Sequence, residues 1–140
     1  MARMKEPRDL EWDSAADPSV LPNIEARVPA LLALFRGEYA GRELLVHDDR
    51  RFTYREIEEA SARLACWLID SGVAKGTHIG LLLPDDERFL TSWLAVTRIG
   101  CVAVALSTLV TPAELQRIAR HADLHLIIAV PGFMGHDYVA

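Results

Sequence analysis

The amino-acid sequence predicts a three-layer α/β fold: a mostly parallel sheet between helices, joined by right-handed βαβ crossovers. Two observations carry that expectation. Three times a helix with one apolar side gives way to a short, uniformly apolar run, across residues 53–83, 85–106 and 111–130. Runs of that kind suit strands covered on both faces, and their alternation with helices is the pattern of crossover connections. In addition, Gly72 and Gly100 stand just past two of the helices, where a left-handed residue closes a helix.

Residues 1–22 are polar, contain Pro18 and Pro22, and show no sustained period, so they are expected to form a flexible N-terminal arm ahead of an α/β unit over residues 23–140. Asn23 can cap a helix reaching about Phe35, with Ile24, Val28, Leu31, Leu32 and Phe35 on its apolar side and Pro29 expected to kink or shorten it. Residues 43–47 and 51–53 flank Asp48-Asp49-Arg50, a hairpin turn.

Thr53 and Glu56 have the spacing of a capping box. Ile57, Ser61, Leu64 and Leu68 then share one side of a helix, and Glu56, Glu59, Arg63 and Asp70 the other. The run from Ile79 reads as a buried strand. Asp85 or Asp86 caps the next helix, which runs to Ile99 with Phe89, Trp93, Val96 and Thr97 on one face and Leu90 and Leu94 widening it. Residues 101–106 form a second buried strand. Thr111-Pro112-Ala113-Glu114 opens a helix with a cap, a proline at its first position and an early acid. That helix ends near Asp123, residues 124–130 form a third buried strand, Pro131-Gly132 breaks it, and residues 136–140 begin another element.

The composition narrows the function classes. One domain is expected at 140 residues, 51% of them apolar and 25% charged, a balance that excludes a disordered chain. A net charge of −5 without a Lys/Arg cluster argues against a nucleic-acid surface. Apolar runs are far too short to span a bilayer, and MARMKEPRDLEWD has no apolar core behind its basic residues, so no secretory signal is read there. Cys66 and Cys101 read as buried free thiols, which suits a reducing cytoplasm. Trp67 and Trp93 fall at helix positions compatible with core packing.

Candidate chemistry is sparse. Asp85-Asp86 ends a strand where α/β folds place ligand groups, and paired carboxylates there can hold a metal ion, as in phospho-receiver domains. Ser107-Thr108 supplies the hydroxyl such a receiver needs, but no lysine follows Val130-Pro131, and helix capping explains the pair better. The segment Gly72-Val-Ala-Lys75-Gly-Thr leads into a strand rather than a helix, so it offers no anion cradle. His121 and His125 are spaced like helical metal ligands but lack a third partner. The sequence contains no Gly-x-Ser-x-Gly, Cys-x-x-Cys, His-Glu-x-x-His or Gly-x-Gly-x-x-Gly.

A family pattern runs through the chain. Thr53-Tyr54-Arg55-Glu56-Ile57 resembles the Thr-Tyr-x-Glu-Leu opening of the acyl-activating, AMP-forming ligases, which include acyl-CoA synthetases, peptide-synthetase adenylation domains and luciferases. The resemblance continues through Leu64-Ala65, Leu68, Gly72-Val73, Gly76, Ile79 to Pro84, Phe89, Leu94-Ala95-Val96, Gly100 and Val102-Ala-Val-Ala-Leu-Ser-Thr. Thr111-Pro-Ala-Glu-Leu and His121-Ala122-Asp123 are similar to the acyl-CoA synthetase branch, and the likeness covers about residues 43–130. Asp85 stands where the family often has Asn, and Ala105 where it usually has Pro.

The resemblance implies part of the N-terminal domain of an AMP-forming synthetase. Such enzymes join a carboxylate, here expected to be a fatty acid, to the AMP of ATP with Mg²⁺, and the synthetases then transfer the acyl group to coenzyme A. The family's phosphate loop, its aromatic-Gly-x-Thr-Glu segment, its ribose-binding Asp and its catalytic Lys follow the equivalent of Ala140. No catalytic, cofactor-binding or metal residue is therefore assigned, and the chain alone is expected to be inactive and to bind none of these cofactors. Its expected partner is the remainder of the parent ligase, and the open sheet edge is expected to favour homo-oligomers. The alternatives are a free-standing interaction module and a flavodoxin-like receiver or nucleotide-binding domain.

Overall fold

A computed structural model describes residues 28–138. The expected arm and the Asn23 cap lie outside the described residues. The first described helix, α1 (Val28–Arg36), sets Leu32 and Phe35 against Ile57 and Leu94. An antiparallel hairpin follows, β1 (Glu43–His47) and β2 (Arg50–Thr53), closed by His47 facing Arg50 across Asp48-Asp49. Arg50 therefore belongs to the strand rather than the turn, and Asp48 takes the left-handed backbone, φ 52°, that a short polar side chain tolerates.

Helix α2 (Tyr54–Asp70) begins with the expected capping box between Thr53 and Glu56. It leads to β3 (His78–Leu82), then α3 (Glu87–Arg98), β4 (Val102–Ala105), α4 (Pro112–His121) and β5 (Leu126–Ala129). A small hairpin, β6 (Gly132–Phe133) with β7 (His136–Asp137), supplies the element expected near the end. All three central helices stop the same way. The amides of Gly72 and Val73 donate to the carbonyls of Ile69 and Leu68, those of Gly100 and Cys101 to Thr97 and Val96, and those of Asp123 and Leu124 to Arg120 and Ala119. Each is a Schellman close, with Gly72, Gly100 and Asp123 at positive φ.

The sheet is parallel, in the order β4-β3-β5. Because β4 and β5 lie on opposite sides of β3, right-handed crossovers place α3 and α4 on opposite faces. Ile79, Leu81, Ala103, Leu126 and Ile128 face the layer of α2 and α3, where they pack with Leu68 and Val96. The opposite face carries Gly80 and Leu82, and His78 Nδ1 lies 2.7 Å from the carbonyl of Ala122 at the end of α4.

Among the described residues, β3 is buried from Ile79 to Leu82. β4 and β5, both expected to be covered on each face, are partly exposed because each sits at an edge and has one neighbouring strand among the described residues. The strand expected from residue 124 begins at Leu126, because Leu124 is used to close α4. Cys66, Trp67 and Trp93 are also corrections. Cys66 is exposed, Trp67 is 59% exposed and Trp93 37%, because α2 and α3 turn other residues inward. Those residues are Ile57, Ser61, Ala65 and Leu68 on α2, and Ser92, Leu94, Ala95 and Val96 on α3. Cys101 is buried as expected.

Gly80 is fixed by close approach. A Cβ there would lie 2.8 Å from Leu106 Cδ1 and 2.9 Å from Leu124 Cδ1. Gly80→Val is expected to cost about 1–3 kcal/mol by overpacking, read as a lower urea midpoint with unchanged slope.

Candidate functional site

In a parallel α/β sheet the place to look for ligand chemistry is outside the carboxyl ends of the strands. Here that edge is formed by the turn from β3 through Pro84, Asp85 and Asp86 into α3, and by the turn from β4 through Ser107 and Thr108 to α4. Helix N-termini there are potential anion sites, since their first amides are unbonded and the helix dipole is positive.

Both N-termini already hold a carboxylate of their own. Asp86, 5% exposed, accepts from the Arg88 amide at 2.8 Å and from Arg88 Nε at 2.9 Å and Nη2 at 2.5 Å. Burial alone would raise its carboxyl, but the hydrogen bonds and charge of Arg88 and the Phe89 amide together hold it below its ordinary value. At α4, Glu114 Oε2 accepts from the Thr111 amide at 2.9 Å and from its hydroxyl at 2.8 Å. Those bonds, from the backbone first and then the hydroxyl, lower the Glu114 carboxyl. At α3 the Arg88 amide thus faces Asp86, and at α4 the Glu114 amide faces the Thr111 hydroxyl at 3.3 Å.

The remaining candidates stay apart. Asp85 is exposed, so Asp85-Asp86 is a cap beside a solvated acid. The Ser107 hydroxyl accepts from the Leu109 amide at 3.2 Å, a local turn, and Tyr138 donates to the Thr108 carbonyl. The segment after Gly72 is a helix-to-strand turn in which the Gly76 amide donates to the Gly100 carbonyl. His121 ends α4 and His125 precedes β5, both exposed. Among the described residues no group of three or more His, Cys, Asp or Glu is placed to hold a metal ion. Asp85, Asp86, His121 and His125 thus do not converge on one metal site.

A further electrostatic feature among the described residues is one that local sequence patterns do not single out. Glu58 on α2 has a side chain 5% exposed, and its Oε1 accepts from Arg36 of α1 at 2.6 Å and from Arg98 of α3 at 2.5 Å. Burial would raise the Glu58 carboxyl, and the hydrogen bonds and charges of the two arginines more than offset it, leaving it lowered. One carboxylate therefore ties three helices together. A shallow groove lined by Trp67, Gly72, Val73, Thr77, His125 and Leu126 lies at the other, amino-terminal edge of the sheet, away from the strand ends that carry ligand groups.

Comparison with known proteins places this arrangement. Residues 35–138 match a family model described as AMP-binding enzyme. The chain is 28% identical over 122 residues to the acyl-CoA ligase sidI of Aspergillus fumigatus, an alignment covering 86% of this chain and 21% of that protein. It is 35% identical over 97 residues to a salicylyl-CoA synthase / salicylate adenylyltransferase of a Streptomyces species, covering 69% of this chain and 17% of that one. Among solved structures, the N-terminal subdomain of NpsA from Klebsiella oxytoca, in complex with 3-hydroxybenzoyl-AMSN, superposes with a TM-score of 0.70 at 25% identity, over 79% of this chain and 29% of that chain. The chain thus spans between 17% and 21% of the length of these two curated relatives.

Proposed function

The chain belongs to the AMP-binding enzyme family, and from that premise we propose that it is the N-terminal scaffold of an ATP-dependent, AMP-forming acid–thiol ligase. In such a ligase ATP with Mg²⁺ activates a carboxylate as its adenylate, and coenzyme A takes the acyl group as a thioester. This segment supplies none of that chemistry. Its β4-β3-β5 sheet and the helices tied by Glu58 form a rigid base on which the residues that touch substrate are mounted.

The observation that carries the proposal is the state of the sheet's carboxyl edge, where Asp86 and Glu114 occupy the helix N-termini. A phosphate approaching the first amides of these helices would compete with Asp86 at α3 and with the Thr111 hydroxyl at α4. Two acid classes are carried forward. A fatty acid follows from the resemblance to acyl-CoA synthetases, and an aryl acid from the likeness to a salicylyl-CoA synthase. No described helix is long and apolar enough to cross a membrane, and a cytoplasmic enzyme is part of the proposal.

The isolated chain, given ATP, Mg²⁺ and a panel of fatty and aryl acids, is expected to show no pyrophosphate exchange above a blank without protein. Clear turnover would overturn the proposal. The DNA beyond codon 140 gives the positive test. A frame continuing into a Ser/Thr/Gly-rich phosphate loop supports a ligase scaffold, whereas a stop codon there favours a free-standing interaction module. The module reading has one observation on its side: among the described residues every buried side-chain polar atom has a hydrogen-bond partner.

A further inference from the structure

We propose that the β6–β7 hairpin is a strap closed across the carboxyl edge of the sheet, latched by the Tyr138 hydroxyl to the turn after β4 and opening as one unit with that turn. The path of the chain gives the crossing. The hairpin follows β5, the turn at residues 106–111 follows β4, and β3 lies between those two strands. Tyr138 nevertheless reaches that turn, its hydroxyl donating to the Thr108 carbonyl at 2.5 Å. Phe133 and Tyr138 pack against the cluster that contains Leu83 and Val130, the residues just past β3 and β5. The strap therefore lies across the strand ends where parallel α/β sheets take ligands.

Each half of this unit carries local bonds of its own. In the turn, the Leu109 amide donates to the Ser107 hydroxyl at 3.2 Å and the Val110 amide to the Ser107 carbonyl at 3.3 Å. In the hairpin, Gly132 faces Asp137, Phe133 faces His136, and the Tyr138 amide donates to the Pro131 carbonyl at 3.0 Å. Such bonds shape the two halves separately. The Tyr138–Thr108 bond joins them.

The tip of the strap favours opening. Met134 and Gly135 connect its two strands, and both have positive φ, 49° and 85°. A type I′ turn requires that geometry at both positions and takes Asn-Gly readily. Glycine adopts it freely, whereas methionine is strained there. The closed hairpin thus holds backbone strain that its opening releases. Met134, 76% exposed among the described residues, recovers little of it by packing. A strained tip and a hydroxyl latch at the base make a unit that opens well below the free energy of global unfolding.

Native-state amide hydrogen exchange tests this within one polypeptide, so the result holds whatever follows residue 140. Tyr138→Phe removes the latch and keeps the ring. The amides of residues 109, 110 and 138 are then expected to exchange about three- to tenfold faster, the worth of one hydrogen bond. Those of Val102 and His125, bonded to the Thr77 and His78 carbonyls at the amino-terminal edge, should not change. Met134→Asn, which suits the turn, should slow the same three amides at least about twofold. It also decides the matter if the phenylalanine variant fails to fold. Faster exchange at residue 138 alone would overturn the proposal, since turn and hairpin would then move separately. An equal rise at Val102 and His125 would do so too, because the loss would be global. So would exchange that Met134→Asn leaves unchanged or accelerates.

Discussion

Glu58→Ala is expected to lower the stability of the fold by about 3–5 kcal/mol, the cost of leaving a buried charge without its counter-charge. The charge left behind is Arg98, whose side chain is 10% exposed. Arg36, at 64% exposed, can turn to water and loses less. The two arginines are therefore unequal although they share one oxygen. Arg36→Met should cost about 1 kcal/mol or less, as for a solvated ion pair, while Arg98→Met should fall between that value and Glu58→Ala. Glu58→Leu combined with Arg98→Met should recover much of the loss, because it removes both buried charges together. Urea unfolding decides it: with slopes of about 1–3 kcal/mol per molar, the Glu58→Ala midpoint should drop by about 1 M or more. A loss below about 1 kcal/mol would mean that the helices are held by Leu32, Phe35, Ile57 and Leu94 alone.

The same carboxylate sets a direction for pH. Glu58 is lowered in the folded chain from an ordinary 4.5, and Asp86 from an ordinary 3.8. The unfolded chain thus takes up protons first, and the stability contributed by both groups is complete above those ordinary values. It is lost as pH falls from them through the lower folded-state values. The wild type should consequently lose urea resistance on acidification below about pH 4.5, and Glu58→Ala should show a shallower decline there.

Much of this architecture is written locally. Capping boxes at Thr53–Glu56 and Thr111–Glu114 and the glycines at 72 and 100 act within a turn of the helix they bound, so the sequence shows them directly. Asp123 closes α4 in the same left-handed geometry but without glycine's signature, and the following strand is correspondingly read two residues too early. The Glu58 cluster has no local signal. Its partners lie 22 and 40 residues away, and on the helix it is simply one acid next to another. Strand exposure is likewise a property of neighbours: VAVA and LIIA are as apolar as a central strand, and only the order β4-β3-β5 makes them edges. At the candidate site, Asp85-Asp86 is correctly legible as a cap because capping needs only the next two residues. That Arg88 seals it depends on side-chain geometry the spacing does not specify.

Leu81→Ala should cost about 2–5 kcal/mol, whereas Trp67→Ala should cost less than about 1 kcal/mol, although the deleted indole is the larger group. Leu81 is 0% exposed at the centre of the sheet, in one cluster with Leu68, Ile79 and Val96. Its neighbours are held by β3, α2 and α3 at once, so they cannot collapse into the space its removal leaves. Trp67 lies one position before Leu68 on α2, and a step of one residue rotates a helical side chain by about 100°, far enough to carry it off the packed face. At 59% exposed it surrenders little buried area when truncated. The pair of variants, unfolded in urea side by side, therefore tests the rotation of α2 against the sheet. A larger loss for Trp67→Ala than for Leu81→Ala would require the helix to be turned so that Trp67 faces β3, and Glu58, nine residues earlier and a further half-turn around, could not then reach both Arg36 and Arg98.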